Sequence, residues 1–351
     1  MEPRNRYAVA MSGGVDSSTA AAILLQKGYD VFGVTMDIHS YSAVAVRNAR
    51  NICDHLGISH YVLDAKEQFK KAVIDTFAEY YRTGLTPNPC AFCNRDIKMS
   101  LLLEYAGTMG AEMMATGHYV SMTIKDGSVC IREASNQSKD QSYFLALVPK
   151  DKLQRITFPL GEMTDKAETR RMAEALGLPN FKQDESQDIC FIPSGDYRKF
   201  LEEWNSAEPA CRGGNVRHAG TGQIIGTHDG LINYTIGQRR GLGISTNEPL
   251  YVIQLDVANN EVVLGDTKQL ETKKFKATEV NWLMDMPDAF EAEIKQRSAC
   301  RKCGAEVKKL GETEIEVTLL DTPSSAITPG QVCAMYNNEG IVIGGGIIAR
   351  W

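Results

Sequence analysis

The chain has 351 residues, 43% of them hydrophobic and 23% charged, with a formal net charge of −6; this is the composition of a globular protein of roughly two or three domains. No apolar run reaches about 18 residues, and Met1-Glu2-Pro3-Arg4-Asn5-Arg6 carries no signal-peptide hydrophobic region, so no membrane span and a cytoplasmic location are expected. Nine cysteines in a reducing compartment point to thiol chemistry or metal more than to structural disulfides, and the acidic balance argues mildly against a nucleic-acid partner, although local basic patches weigh more than the total.

Tyr7 to Met11 is an apolar run that predicts a strand. Ser12-Gly13-Gly14-Val15-Asp16-Ser17-Ser18 follows, and an Ala- and Leu-rich helical run leads from Thr19 to Gln26. Strand, glycine loop and helix N-terminus together present backbone N–H groups and a positive helix dipole to an anion. Gly13 and Gly14 can take positive φ and let a phosphate approach. Ser12, Ser17 and Ser18 can add hydroxyl donors. Asp16 would repel an anion, so it is either a helix cap or a sign that Mg²⁺ joins a nucleotide. No Gly-Lys-Ser/Thr follows, so the loop is not a Walker A motif.

The alternation continues. Asp30 to Met36 reads as a buried strand, Ala43 to Leu56 as a helix ended by Gly57, and Ser59 to Leu63 as a third strand. Lys66 to Tyr81 is expected to be helical, with Phe69, Val73, Ile74, Phe77 and Tyr80 on one face. Gly84 to Cys90 reads as a loop because Pro87 and Pro89 interrupt it. Asn94 to Met109 predicts a helix, and Ala111 to Thr116 a strand leading into Gly117-His118. The fold class is therefore α/β, a parallel sheet covered by helices. Ligands bind such sheets at the carboxyl ends of the strands, where Ser12 to Ser17, Met36 and Gly117-His118 can converge.

The pattern shifts after Ser121. Ser121 to Arg132 looks like a hairpin around Asp126-Gly127, and helical pieces follow, including Thr164 to Leu176. From about Phe200 the chain reads as β-like and glycine-punctuated, through Gly220 to Gly243; alternating strands run on after Lys276. Soft boundaries near 198 and 272 give segments 1–198, 199–271 and 272–351. Basic patches lie at Gln238-Arg239-Arg240, Lys268 to Lys276 and Lys295 to Lys309. Arg239 and Arg240 are either exposed side chains on tight turns or contacts for RNA phosphates.

Cys90-Ala91-Phe92-Cys93 sits in the proline loop just before a helix, where the helix N-terminus lowers a thiol pKa. Arg95 and Lys98, one turn on, would add positive potential. Cys190 lies in Asp184 to Pro193. A lone cysteine is more often a small buried hydrophobe, but Cys93 and Cys190 both have loop-like surroundings. Cys300 and Cys303 form another Cys-x-x-Cys with no second ligand pair at zinc-finger spacing. His228 reads as a turn residue, and Trp282 and Trp351 as core or terminus anchors.

Several motifs then occur in one order. They are Met11 to Ser18; Thr-Pro-Asn-Pro with Cys93-Asn94; Ala115-Thr-Gly-His-Tyr; and Lys139-Asp-Gln-Ser-Tyr-Phe. Ile189-Cys-Phe-Ile, Thr235 to Gly243 and Thr328-Pro-Gly-Gln follow. In this order they resemble the tRNA-specific 2-thiouridylases over nearly the whole chain. The resemblance implies an ATP-pyrophosphatase domain, adenine nucleotide alpha hydrolase-like, then a small mostly-β central domain and a C-terminal tRNA-binding β-barrel. It implies that ATP adenylates the C2 oxygen of a wobble uridine, that a persulfide delivers sulfur, and that AMP and pyrophosphate leave. The partners implied are the tRNA anticodon stem-loop and a persulfide donor protein.

Carried over residue by residue, the resemblance gives ATP phosphates to Ala10, Met11, Ser12, Gly13, Gly14, Val15, Asp16 and Ser17, and nucleotide contacts to Met36 and Gly117. Asn88, Pro89 and Cys90 would lie beside the flipped base. Cys93 would be the nucleophile and Cys190 the persulfide carrier. His118, Lys139, Asp140, Gln141, Arg297, Ser298 and Gln331 would follow the tRNA. Two departures stand out. The segment after Met36 is short where the family has an acidic insertion, and position 90 is Cys where many members carry Asp. Cys90, Cys93 and Cys190 therefore offer a second sulfur source, a 4Fe–4S cluster held by three thiolates with one iron site open. A small-molecule ATP-pyrophosphatase ligase would explain the loop but leave the cysteines without a task. A silent RNA-binding protein would need none of them.

Overall fold

The computed structural model describes residues 5–183, 189–205, 209–244, 248–320 and 326–350. The motif residues Asp184 to Asp188 and Trp351 lie outside the described residues.

The first sheet is parallel. It contains β1 (Arg6–Ala10), β2 (Asp30–Asp37), β3 (His60–Asp64) and β4 (Met113–Ala115). After a hairpin of β5 (Ser121–Lys125) and β6 (Ser128–Arg132), β7 (Ile156–Thr157) completes it, in the order β3-β2-β1-β4-β7. Alternate residues of β1 point to opposite faces, as the pleat requires. Tyr7 and Val9 pack with Ala21 and Leu24 of α1 (Val15–Gln26) and Ala49 and Ile52 of α2 (Ser42–Leu56). Ala8 faces the other way, with Phe32, Val34, Leu102, Leu103 and Ala106. Strand order reverses between β1 and β4, which leaves a crevice at their carboxyl ends.

Two helices on the second face depart from expectation. Residues 66–82 and 89–108 form continuous helices whose middles, Lys70–Asp75 and Cys93–Leu101, are wound as π-helix. The second helix begins at Pro89, not near Asn94. Asn88 Oδ1 accepts from the Ala91 N–H at 3.1 Å, and Pro89 takes the first helical position, where a missing N–H costs nothing. Cys90 and Cys93 therefore belong to the helix, not to a loop before it.

The β-like stretch expected from Phe200 also begins differently, because Tyr197–Asn205 is a helix. Beyond it β8 (Gly214–His218), β9 (Ile224–His228), β10 (Tyr251–Asp256) and β11 (Glu261–Gly265) make a four-stranded sheet ordered β10-β11-β8-β9. A closed barrel follows. Its strands are β12 (Lys274–Trp282), β13 (Ala289–Lys295), β14 (Cys303–Lys309), β15 (Ile315–Leu319), β16 (Val332–Tyr336) and β17 (Val342–Ile348).

The three parts share cores. Val332, Ala334 and Tyr336 of β16 pack into the apolar cluster under the parallel sheet, while the intervening Cys333 and Met335 fill the barrel. Cys93, Ile97 and Phe77 pack in one cluster with Val216, Val252 and Val262 of the central sheet. Among the described residues no helix is long and apolar enough to cross a membrane.

Candidate active site

The glycine loop closes β1 and starts α1. Gly13 has φ +80°, and a Cβ there would meet the Ala45 carbonyl and the Asn48 side chain at 2.9 Å, so α2 and the loop fit only around glycine. Gly14 differs from expectation: it is the extended N-cap of α1, with φ −87°. Asp16 is consequently not the cap but lies in the first turn, where the dipole favours its charge. The hydroxyls are turned inward. Ser17 and Ser18 donate to the Gly14 carbonyl at 3.1 and 2.8 Å, and the Ser12 N–H donates to Ser17 Oγ at 3.2 Å. The loop thus holds its own shape.

At the end of β4, Gly117 packs directly on this loop. A Cβ on it would lie 2.7 Å from the Asp16 carbonyl carbon and the Ser17 nitrogen. Tyr119, two residues on, donates its hydroxyl to Asp16 Oδ1 at 2.8 Å and lies 2.9 Å from the Thr169 hydroxyl. Asn180 donates to the Gly13 carbonyl at 3.1 Å and to Ser18 Oγ at 3.0 Å, and its own Oδ1 is buried with no partner among the described residues. Sequence reasoning missed both. Tyr119 stood in a quoted motif, whereas Asn180, in Leu-Pro-Asn after a helix, gave no signal. Met36 ends β2 beside Asp37, and α2 begins at Ser42, whose hydroxyl accepts the Ile38 and His39 N–H groups at 3.1 Å. Those two bonds close the short segment after Met36.

His118 follows Gly117. Burial, with help from nearby Lys98, lowers its pKa to about 3, and its Nδ1 lies 2.8 Å from the Thr116 hydroxyl. It is a neutral ring. The Lys139-Asp140-Gln141 turn braces it from behind: Gln141 Oε1 accepts the Tyr119 N–H at 2.9 Å, and Asp140 accepts from the Ala134 and Ser142 N–H groups at 3.0 and 3.1 Å. Asp140 and Gln141 therefore shape the site through the backbone.

The structure brings Cys90, Cys93 and Cys190 into mutual electrostatic range. Cys93 is buried beside Phe191 and Ile192, the residues that follow Cys190, while Cys90 and Cys190 are exposed. Here an expectation fails. The helix N-terminus does not leave a low-pKa thiol: burial pushes Cys93 up to about 12 and raises Cys90 and Cys190 as well, with Lys98 opposing the rise at each. Cys93 sits a turn inside the helix, where the dipole field has weakened and desolvation dominates. Arg95 does not add to the positive field as expected. It pairs with Asp96 at 2.8 Å and Glu279 at 3.5 Å and lies over the Phe92 ring. As for a cluster, among the described residues no group of three Cys, His, Asp or Glu side chains is arranged to hold a metal ion.

The barrel clasps the loop that precedes the cysteines. Gln331 Nε2 donates to the carbonyls of Thr86 and Pro87 at 2.9 and 3.1 Å, and the Thr86 N–H donates to the Pro329 carbonyl at 2.9 Å. The base-binding candidates Asn88, Pro89 and Cys90 are held from there. Arg297 also turns inward, donating to the Ile236 carbonyl at 3.0 Å and to the Thr328 hydroxyl. These bonds tie the barrel to the segment before β10; Ser298 follows Arg297 in the turn after β13. Arg239 and Arg240 are exposed on a run of glycine turns. His228 is a turn residue as expected, its Nδ1 accepting the Gly230 N–H at 3.0 Å. Cys303 begins β14 and its thiol contacts the Ile294 carbonyl.

Comparison with known proteins covers almost the whole chain. Family models match at residues 5–194 (tRNA methyl transferase HUP domain), 198–266 (tRNA methyl transferase PRC-barrel domain) and 272–348 (Aminomethyltransferase beta-barrel domain). A protein of Ruegeria pomeroyi named tRNA-specific 2-thiouridylase MnmA is 42% identical, over 98% of this chain and 96% of its own. Proteins of the same name from Trichlorobacter lovleyi and Syntrophotalea carbinolica are 41% and 42% identical. They cover 98% and 99% of this chain, and 98% and 100% of their own.

Proposed function

The chain belongs to the tRNA-specific 2-thiouridylase family, and from that premise we propose how its own residues carry out ATP-dependent 2-thiolation of the wobble uridine of tRNA. The observation that supports the reading is the convergence of Cys93 with Cys190, from a distant segment, near Lys98, whose charge also acts on His118. An adenylating enzyme with no sulfur to move has no use for that arrangement.

A uridine C2 oxygen is a poor leaving group. Its attack on the α-phosphate of ATP releases pyrophosphate and leaves AMP esterified to C2. The N–H groups of Ser12 to Ser17 and the α1 dipole favour the phosphates. Asp16, held by Tyr119, would bind Mg²⁺, which would offset phosphate charge. The base must leave its stack, at a cost of a few kcal/mol that is least in a single-stranded loop. The turn of Asn88, Pro89 and Cys90 would receive it.

The terminal sulfur of a persulfide on Cys190 then attacks C2 and AMP departs. The Cys93 thiolate attacks the Cys190 sulfur. The bond from Cys190 to the transferred sulfur breaks, a Cys93–Cys190 disulfide forms, and 2-thiouridine is released with that sulfur at the sulfide level. A dithiol reductant reopens the disulfide.

Mass spectrometry of tRNA nucleosides after incubation with ATP, Mg²⁺ and a persulfide donor tests this. Formation of 2-thiouridine is expected. ATP–pyrophosphate exchange driven by a small amine and indifferent to tRNA would overturn it.

A further inference from the structure

Two adjacent glycines leave one linkage of the phosphate loop unset. Gly13 is required by packing, because a Cβ there would meet Ala45 and Asn48 of α2 at 2.9 Å. That requirement leaves a freedom behind. The Gly13–Gly14 peptide is the linkage of Ser12-Gly13-Gly14-Val15 with no Cβ on either flank, so side-chain sterics do not stop it turning over. Its direction matters. In a trans peptide the carbonyl and the following N–H point opposite ways, and no cis bond occurs among the described residues. One orientation shows an anion the Gly14 N–H. The other shows it the Gly13 carbonyl oxygen, which repels it.

Asn180 decides between the two. Its Nδ2 donates to the Gly13 carbonyl at 3.1 Å and to Ser18 Oγ at 3.0 Å, and Ser18 Oγ in turn donates to the Gly14 carbonyl at 2.8 Å. Both glycine carbonyls are thus held on the inner side of the loop. The Gly14 N–H lies on the exposed side, with a long 3.4 Å approach to Ser12 Oγ. The amide of Asn180 cannot turn round without setting Oδ1 against the Gly13 carbonyl, acceptor against acceptor. Oδ1 is instead buried with no partner among the described residues. Packing fixes where Asn180 stands. The helix Lys166–Ala175 gives way to a turn at Gly177, φ +68°, and Ala173 and Leu178 pack on Val15 and Ala22 of α1. Thr169 of the same helix lies 2.9 Å from the Tyr119 hydroxyl that holds Asp16. The back of the loop is therefore built by a segment from far along the chain.

We propose that Asn180 is the positioning residue of the phosphate loop: it holds the Gly13–Gly14 peptide with its carbonyl inward and its N–H towards the phosphates of bound ATP. Asn180 touches no reacting atom and acts through the peptide. The assignment rests on the ATP-dependent reading given above and concerns phosphate binding alone. The donor that it sets in place meets a charged acceptor, the stronger class of hydrogen bond. It also removes the alternative in which a carbonyl dipole opposes the α1 dipole at the same spot.

The test is calorimetric binding of inorganic pyrophosphate with Mg²⁺ to the full chain, beside steady-state pyrophosphate release with ATP and tRNA. Asn180→Leu keeps the bulk and removes both N–H donors. It should weaken pyrophosphate binding about tenfold, the effect of one oriented hydrogen bond to a charged group. The KM for ATP should rise by the same factor, while kcat and the KM for tRNA stay within about twofold of wild type. Asn180→Asp has the same shape but sets a carboxylate oxygen on the Gly13 carbonyl, and should weaken pyrophosphate at least as much. If Asn180→Leu does not fold, the isosteric variant decides. Wild-type pyrophosphate affinity in folded Asn180→Asp overturns the proposal, and so does an equal loss in kcat, tRNA and pyrophosphate, which a merely structural role would give. The calorimetry needs no tRNA. A wild-type chain that binds pyrophosphate, loses it in both variants and forms no 2-thiouridine would overturn the thiolation reading and support this one. A wild-type chain that binds no pyrophosphate would overturn the role given to Asn180.

Discussion

The glycine loop and the sulfur centre are built on opposite principles. The loop is largely local: Ser12, Gly14, Ser17 and Ser18 hydrogen-bond one another within a few residues, at a turn between one strand and one helix. The sulfur centre is assembled at a distance. Cys90 and Cys93 come from one helix, Cys190 from a loop far along the chain, and the turn before them is held by Gln331 of the barrel. The loop can form as soon as its strand and helix pack. The sulfur centre exists only when all three parts of the chain have docked. Sulfur transfer should therefore be sensitive to changes in the barrel that leave adenylation intact.

Breaking the sulfur side outright gives the largest effect. Cys93→Ser and Cys190→Ser should each abolish 2-thiouridine formation, while pyrophosphate release continues in at least one of them. Wild-type thiolation in both variants would remove the assignment. On the loop side, Gly117→Ala places a methyl 2.7 Å from the backbone of Asp16 and Ser17. Forcing the loop away should cost about 1–3 kcal/mol, a tenfold to hundredfold rise in the KM for ATP by pyrophosphate release.

How legible each half was follows from the same contrast. β1, α1 and the crevice at their junction could be read because periodicity, glycine spacing and dipole direction are local properties. Gly14 was misjudged only in φ, since an N-cap needs extended backbone, not positive φ. The thiols of Cys93 and Cys190 could be picked out by type and context. Their pKa could not, because burial under Phe191, Ile192 and the central sheet is a tertiary fact. Pro89 was taken as a helix breaker when it starts the helix, and the π-turns of Cys93–Leu101 leave no trace in hydrophobic spacing. Arg297 was placed along the tRNA by the family resemblance; its partners here, Ile236 and Thr328, lie far away in sequence and could not be read from it.

A milder change sharpens the comparison. Gln331→Ala removes two hydrogen bonds to the carbonyls of Thr86 and Pro87, each worth about 1 kcal/mol. The proline turn should loosen, and thiolation should fall about tenfold with the KM for ATP unchanged. A rise in that KM instead would show that the barrel supports both halves alike. Tyr119→Phe is the complementary loss on the loop side. It deletes the hydroxyl that orients Asp16, and about 1 kcal/mol predicts roughly a fivefold increase in the ATP requirement, visible as a shifted Mg²⁺ titration.

The remaining effect is on stability instead of activity. His118 is buried as a neutral ring with its pKa lowered to about 3, against 6.5 for a free side chain. Between those values the unfolded chain takes up a proton that the folded chain refuses. The contribution is therefore present in full above about pH 6.5 and is lost as pH falls towards 3. Urea midpoints measured from pH 7 to pH 4 should decline for the native chain. In His118→Gln, which titrates in neither state, the decline should be shallower. Other titrating groups are common to both proteins and cancel in the difference, including the carboxylates and His39, His60 and His228, whose pKa values are also lowered by burial. Parallel curves would mean that His118 is solvated enough to protonate in the folded state.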